Sequence, residues 1–130
     1  MGDFQTVKSY VYELNLQIVS EDTAQELLIV EDDERGIKNL VIDCEEMIVV
    51  LEQVIMPVPA RPGDMFRRLL QMNRTLVHGA FVLNEDGSAV LFRDTLRLTH
   101  LDLDELQGSI EALSLALAEH AAELLAFHQQ

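Results

Sequence analysis

The spacing of apolar residues changes along this chain, and each spacing predicts an element. The segment Asp3 to Val19 has apolar residues at Phe4, Val7, Val11, Leu14 and Ile18. Steps of three and four place them on one face of a helix, with Gln5, Lys8, Glu13 and Gln17 around the rest. Asp3 is positioned to cap that helix and suits the positive end of its dipole. Three strand-like runs follow, Glu26–Glu31, Ile37–Cys44 and Met47–Val58. The first two flank Asp32-Asp33-Glu34-Arg35-Gly36, a polar turn ending in glycine, which predicts a hairpin. The third run, MIVVLEQVIMPV, is nearly continuous in apolar residues. A strand of that kind has both faces covered, and in so short a chain a partner subunit can supply the second cover.

Pro57, Pro59 and Pro62 then interrupt the pattern, and Asp64 to Asn73 resumes it as a short helix with Phe66, Leu69 and Leu70 apolar. Val77–Leu83 and Ala89–Leu98 predict two more strands around Asn84-Glu85-Asp86-Gly87-Ser88, where Asp-Gly marks a tight hairpin. In the second of these, Val90, Phe92, Leu96 and Leu98 share a face that Asp94 interrupts, while Leu91, Arg93, Thr95 and Arg97 alternate with them. The last segment, about Asp102 to about Phe127, is helical. Asp102 and Glu105 form a capping box, and Leu103, Leu106, Ile110, Leu113, Leu117, Ala121 and Leu124 recur at helical spacing. Leu115, Ala118, Ala122 and Leu125 widen that stripe well past one seam. Gly108, unfavourable inside a helix, marks close packing. The predicted order is α-β-β-β-α-β-β-α. It describes a single α+β domain over residues 1–130, an antiparallel sheet with helices on one face.

Composition narrows the function. The chain has 130 residues, 9 Lys+Arg and 23 Asp+Glu, and a formal charge of −14. That balance opposes nucleic-acid binding, which needs clustered cations, and equally opposes an anionic membrane surface. The first ten residues lack the apolar core of a secretory signal, and no apolar run of roughly 18 residues could span a bilayer. One cysteine, Cys44, excludes an internal disulfide and fits a reducing cytoplasm. His120 and His128 lie about 12 Å apart along one helix, too far to share a metal ion. The acidic groups at 32–34 and 102–105 lack calcium-loop spacing, and capping explains the second. No nucleophile–base set and no phosphate-binding glycine loop stand out, so neither cofactor, metal nor enzymatic activity is expected. Arg61, Arg67, Arg68 and Arg74 form the one basic group, which reads either as a docking patch for an acidic partner or second subunit or, the favoured reading, as ordinary pairing with nearby carboxylates.

The remaining signal is surplus apolar surface, which on a soluble protein marks association. The element order, the segment Phe66-Arg67-Arg68-Leu69-Leu70-Gln71-Met72-Asn73-Arg74, the paired strands from Leu76 to Leu98 and the run Asp102–Leu106 leading into Leu113–Ala118 carry a resemblance. The chain resembles the type III secretion chaperone fold and, more narrowly, the YbjN group of bacterial proteins described as sensory transduction regulators. The resemblance implies a homodimer built on the third strand and second helix, and a role in binding other proteins. The expected function is that of a cytoplasmic, non-enzymatic chaperone or regulatory adaptor for a protein or peptide client. Val50, Val54 and Met56 on the third strand, with Phe66 and Leu70 on the next helix, are the residues expected to serve self-association, client binding or both. The competing reading is a small-molecule sensor or enzyme with a pocket between sheet and final helix, in which His78 and Arg93 supply polar contacts.

Overall fold

The computed structural model describes residues 2–129. Its elements are α1 (Gly2–Glu13), β1 (Gln17–Asp22), β2 (Leu27–Asp32), β3 (Ile37–Glu45), β4 (Ile48–Pro57), α2 (Met65–Met72), β5 (Ala80–Leu83), β6 (Ala89–Arg97) and α3 (Leu103–His128). Every expected element is present in the expected order, and one strand is added to them. The six strands form a single antiparallel sheet in the order β1-β2-β3-β4-β6-β5. The first four strands join through short turns. α2 then carries the chain across, and the β5–β6 hairpin returns β6 to the side of β4.

The added strand comes from an earlier end to α1 than the periodicity predicts. Leu16 N–H donates to the Val11 carbonyl and Asn15 N–H to that of Tyr12, while Asn15 takes the left-handed φ of 62°. These bonds form a Schellman stop, closed by the buried pair Val11 and Leu16. Asparagine serves there in place of the usual glycine, so the helical pattern continues through the stop, and residues 17–19 belong to β1. Asp3, expected as a cap, lies inside the first turn.

A single core lies between the sheet and the three helices. Phe4, Val7 and Val11 of α1, Met65, Leu69 and Met72 of α2, and Leu106, Ile110, Leu113 and Leu124 of α3 cluster with alternate residues of the strands. Those strand residues include Leu28, Val30, Leu40, Ile42, Val49, Leu51, Phe81, Val90, Phe92 and Leu96. Asp102 accepts the Glu105 N–H at 2.8 Å, the forward arm of the expected box. Gly108 packs against the His78 ring, which a β-carbon would meet at 3.5 Å. Gly79 (φ 73°) shortens the fifth strand, because its backbone passes so close to the Phe92 ring that a β-carbon would overlap it. Arg68 of α2 grips Glu123 of α3 through two bonds, at 2.5 and 2.8 Å. That guanidinium holds the Glu123 carboxyl below the usual carboxylate range.

One polar residue shapes the middle of the sheet. The β3–β4 ladder stops at Val41–Glu52, and the buried Gln53 side chain continues it. Its Oε1 accepts from Lys38 N–H at 3.0 Å and its Nε2 donates to the Gly36 carbonyl at 3.2 Å. Replacing Gln53 by Leu removes both partners while leaving the volume filled, so two backbone groups lose their bonds. The expected cost is about 1–3 kcal/mol, measured as a lower denaturation midpoint with an unchanged slope.

Candidate protein-binding surface

The helices cover one face of the sheet, and strand register defines the other. Cross-strand neighbours on that open face form rows over β3, β4 and β6: Glu45, Ile48 and Arg97; Asp43, Val50 and Thr95; Val41, Glu52 and Arg93. A last row runs from Val54 of β4 through Leu91 of β6 to Val82 of β5. Past the β5 edge, Phe66, Leu69 and Leu70 of α2 close a 320 Å³ cavity with Phe81, Val82 and Leu83. An apolar band therefore runs from Val54 across the sheet to α2.

The five residues singled out from sequence take different places on it. Val54 (64% exposed), Phe66 (40%) and Leu70 (71%) stand in the open along this band. Val50 lies on the same open face but is largely screened by its neighbours. Met56 turns inward: the ladder shifts between Val54 and Met56, and the bulge carries Met56 into the core at 6% exposure. It reaches a surface only in the lining of a 360 Å³ groove shared with Ile55, Pro57, Leu124 and Leu125. Leu91, on the open face but screened by its neighbours to 6% exposure, half-buried Val82 and exposed Leu83 complete the band and were not singled out. Their signal was the alternation of Leu91 with Arg93, Thr95 and Arg97, which sets Leu91 on the outer face.

The charges on the open face are sorted by strand. Acids occupy β3, arginines occupy β6, and Arg93 Nη1 meets Glu52 Oε2 at 2.7 Å between them. Burial, then the hydrogen bond and charge of Glu45, then the charge of Glu52 push the Asp43 carboxyl above its usual range. α2 brings little free positive charge. Arg68 is held by Glu123 and Arg67 lies 3.7 Å from Asp64, while Arg61 and Arg74 are exposed without an ion pair among the described residues.

Ser109, Asp94 and His78 meet on the helix-covered face of the sheet. Ser109 Oγ donates to Asp94 Oδ2 at 2.8 Å, and His78 Nδ1 lies 4.0 Å from that same oxygen. The hydroxyl proton is thus directed at the carboxylate, and the imidazole is placed to meet the acid, not the serine. Arg93 sits on the opposite face of the sheet from His78, so these two do not line one pocket. Burial, followed by the charges of Glu26, Asp43 and Asp3, raises the Cys44 thiol to about 12, which keeps it protonated. Among the described residues no group of three or more His, Cys, Asp or Glu is placed to hold a metal ion. No helix there is long and apolar enough to cross a membrane.

The same architecture recurs in known proteins. The type III chaperone family model CesT_Tir_1 matches residues 1–130. This chain belongs to the CesT_Tir_1 family. No curated protein matches the sequence, but solved structures share its fold. YbjN of E. coli superposes with a TM-score of 0.68 at 13% identity, covering 93% of this chain and 92% of that one. A chain of the heterodimeric ExoU–SpcU complex from the Pseudomonas aeruginosa type III secretion system gives 0.68 at 18% identity, covering 92% and 95%. The Yersinia pestis type III secretion chaperone SycH, in complex with a stable fragment of YscM2, gives 0.60 at 15% identity, covering 89% and 98%. At these identities the likeness is one of fold.

The acidic crowding on β3 has a measurable consequence. Replacing Glu45 by Gln removes the largest charged contribution to the Asp43 shift, so the Asp43 pKa is expected to fall toward its ordinary value of 3.8. A carboxyl-carbon NMR titration of both proteins reads this directly. A raised folded-state pKa in an acid means that the ionised form opposes folding above it. E45Q should accordingly gain stability at neutral pH, and that gain should fade as pH falls through the Asp43 titration.

Proposed function

We infer that this chain is a non-enzymatic, cytoplasmic homodimer that binds a protein or peptide client, as a chaperone or regulatory adaptor. The observation that carries the reading is the apolar row Val54–Leu91–Val82 on the open sheet face, exposed at Val54 and continuous with the groove beneath the exposed Phe66 and Leu70. An exposed apolar band beside paired charges is the usual make-up of an association site. The sorted charges support a second copy as one occupant. A copy turned about an axis running along β4 lays its β3 acids over the β6 arginines of the first, twice. Turned about an axis across the strands, it sets acid on acid. The groove between α2 and β5 continues that contact at its edge and also offers a seat for an apolar side chain of the client. Its β5 wall is partly closed to strand addition, since the Asn73 amide already bonds both the N–H and the carbonyl of Phe81. Among the fold neighbours, SycH carries a fragment of YscM2 and SchA forms a chaperone–effector complex with HopA1, which supports a protein client here.

Light scattering of wild-type protein at micromolar concentration is expected to give twice the 14.7 kDa chain mass. Val54→Glu and Leu70→Glu should each shift it toward a single chain mass, while amide exchange shows α3 still protected. A wild-type mass of one chain would overturn the homodimer.

A further inference from the structure

α3 carries a second apolar surface, on the side turned away from the core. Its core face is spent on Leu106, Ile110, Leu113, Ala116 and Leu124. Leu115 (66% exposed) and Leu125 (56%) stand on its outer side, Leu125 also bordering the groove at Met56, and Ala118 and Ala122 between them are exposed as well. At 3.6 residues per turn these four fall within about 80° of arc. They recur at steps of three, four and three, the spacing of a coiled-coil seam. Glu111 and Gln129 continue the same line at its two ends, and both are exposed.

The geometry points to this stripe as a self-association surface that pairs α3 with α3 of a second copy, the two helices antiparallel. Both size and charge choose that occupant. Read in either direction the stripe is Leu, Ala, Ala, Leu with the same spacing, so reversal sets Leu115 beside Leu125 of the other copy and Ala118 beside its Ala122. The small residues let the helices approach at the centre, and the leucines close the ends. Antiparallel pairing also brings the Glu111 carboxylate to the partner helix's C-terminal end, next to its Gln129 amide and His128. A parallel pair would juxtapose two Glu111 carboxylates and align the helix dipoles unfavourably. One group opposes the contact. Glu119 flanks the seam near its midpoint, 3.8 Å from His120 Nε2, and faces its own copy across the two-fold axis. Four such side chains per helix cover less than the roughly 1,200 Å² of a self-sufficient interface. The pairing is therefore a concentration-dependent step added to whatever contact β4 makes, and does not rest on that contact.

Sedimentation of the full chain over a dilution series is the test. Wild-type protein is expected to rise above its starting mass as concentration increases. L115E and L125E should each remove the step without moving the thermal midpoint, and Glu119→Gln should shift it to lower concentration. V54E should retain the step from a smaller starting mass, which separates this surface from the one on β4. Under mild oxidation a mixture of L115C and L125C should form the mixed disulfide, while neither protein alone cross-links. A wild-type mass that never rises, or rises equally in L115E and L125E, would overturn the pairing. Self-cross-linking of L115C alone would overturn its antiparallel sense.

Discussion

β4 carries apolar side chains on both faces, and the chain supplies helices for only one of them. Val49 and Leu51 turn toward α1, α2 and α3 and close the core, and the alternation that sends them inward sends Ile48, Val50 and Val54 outward. No change of register relieves this, because a one-residue slip would exchange one apolar set for the other. The strand tolerates the conflict through two local devices. Gln53 takes over the hydrogen bonding where β3 diverges, and the bulge after Val54 returns Met56 to the core. What remains outside is the row that meets Leu91 and Val82. The open apolar band follows from building a two-faced strand into a one-sided sandwich.

Much of this architecture is legible in the residues because the signals are periodic and local. α3 can be read from its spacing and its Asp102 cap. The Asp86-Gly87 turn follows from the left-handed φ that Gly87 adopts (73°). The near-continuous apolar run of β4 by itself implies that its second face seeks a cover. β1 is hidden for a physical reason: Asn15 ends α1 in a conformation that glycine normally provides, while Ile18 fits both the helical pattern and an inward strand position opposite Val30. The inward turn of Met56 is hidden too, since a bulge changes facing without changing hydrophobicity. Alternation assigns Leu91 to the outer face, but its neighbours Val54 and Val82 come from other strands, so only the strand register assembles the three into a band.

Charge explains how such a chain remains usable in water. The fourteen surplus negative charges lie mostly outside the apolar band and repel indiscriminate association. On the open sheet face the acids of β3 and the arginines of β6 are instead sorted by strand, a pattern that would favour one orientation of a facing copy over its reverse. Asp43 shows the local balance: partial burial first, then Glu45 and Glu52, hold its carboxyl above the usual range, and a cation placed beside it would oppose the charge part of that shift.

The two uncovered surfaces therefore differ in kind. The band on the sheet is continuous with a groove, bordered by both signs of charge and anchored on rigid strands, which suits a specific and stable contact. The stripe on α3 is narrow, convex and built from two leucines and two alanines, with only carboxylates and histidines near it. Between the groove that Leu125 borders and the pocket that Leu115 borders, the Ala118–Ala122 centre of the ridge gains most contact against another ridge of matching spacing. Its reversal symmetry makes a copy of itself the simplest such ridge. The glutamate at its centre keeps that contact weak, as a surface formed only at high local concentration requires.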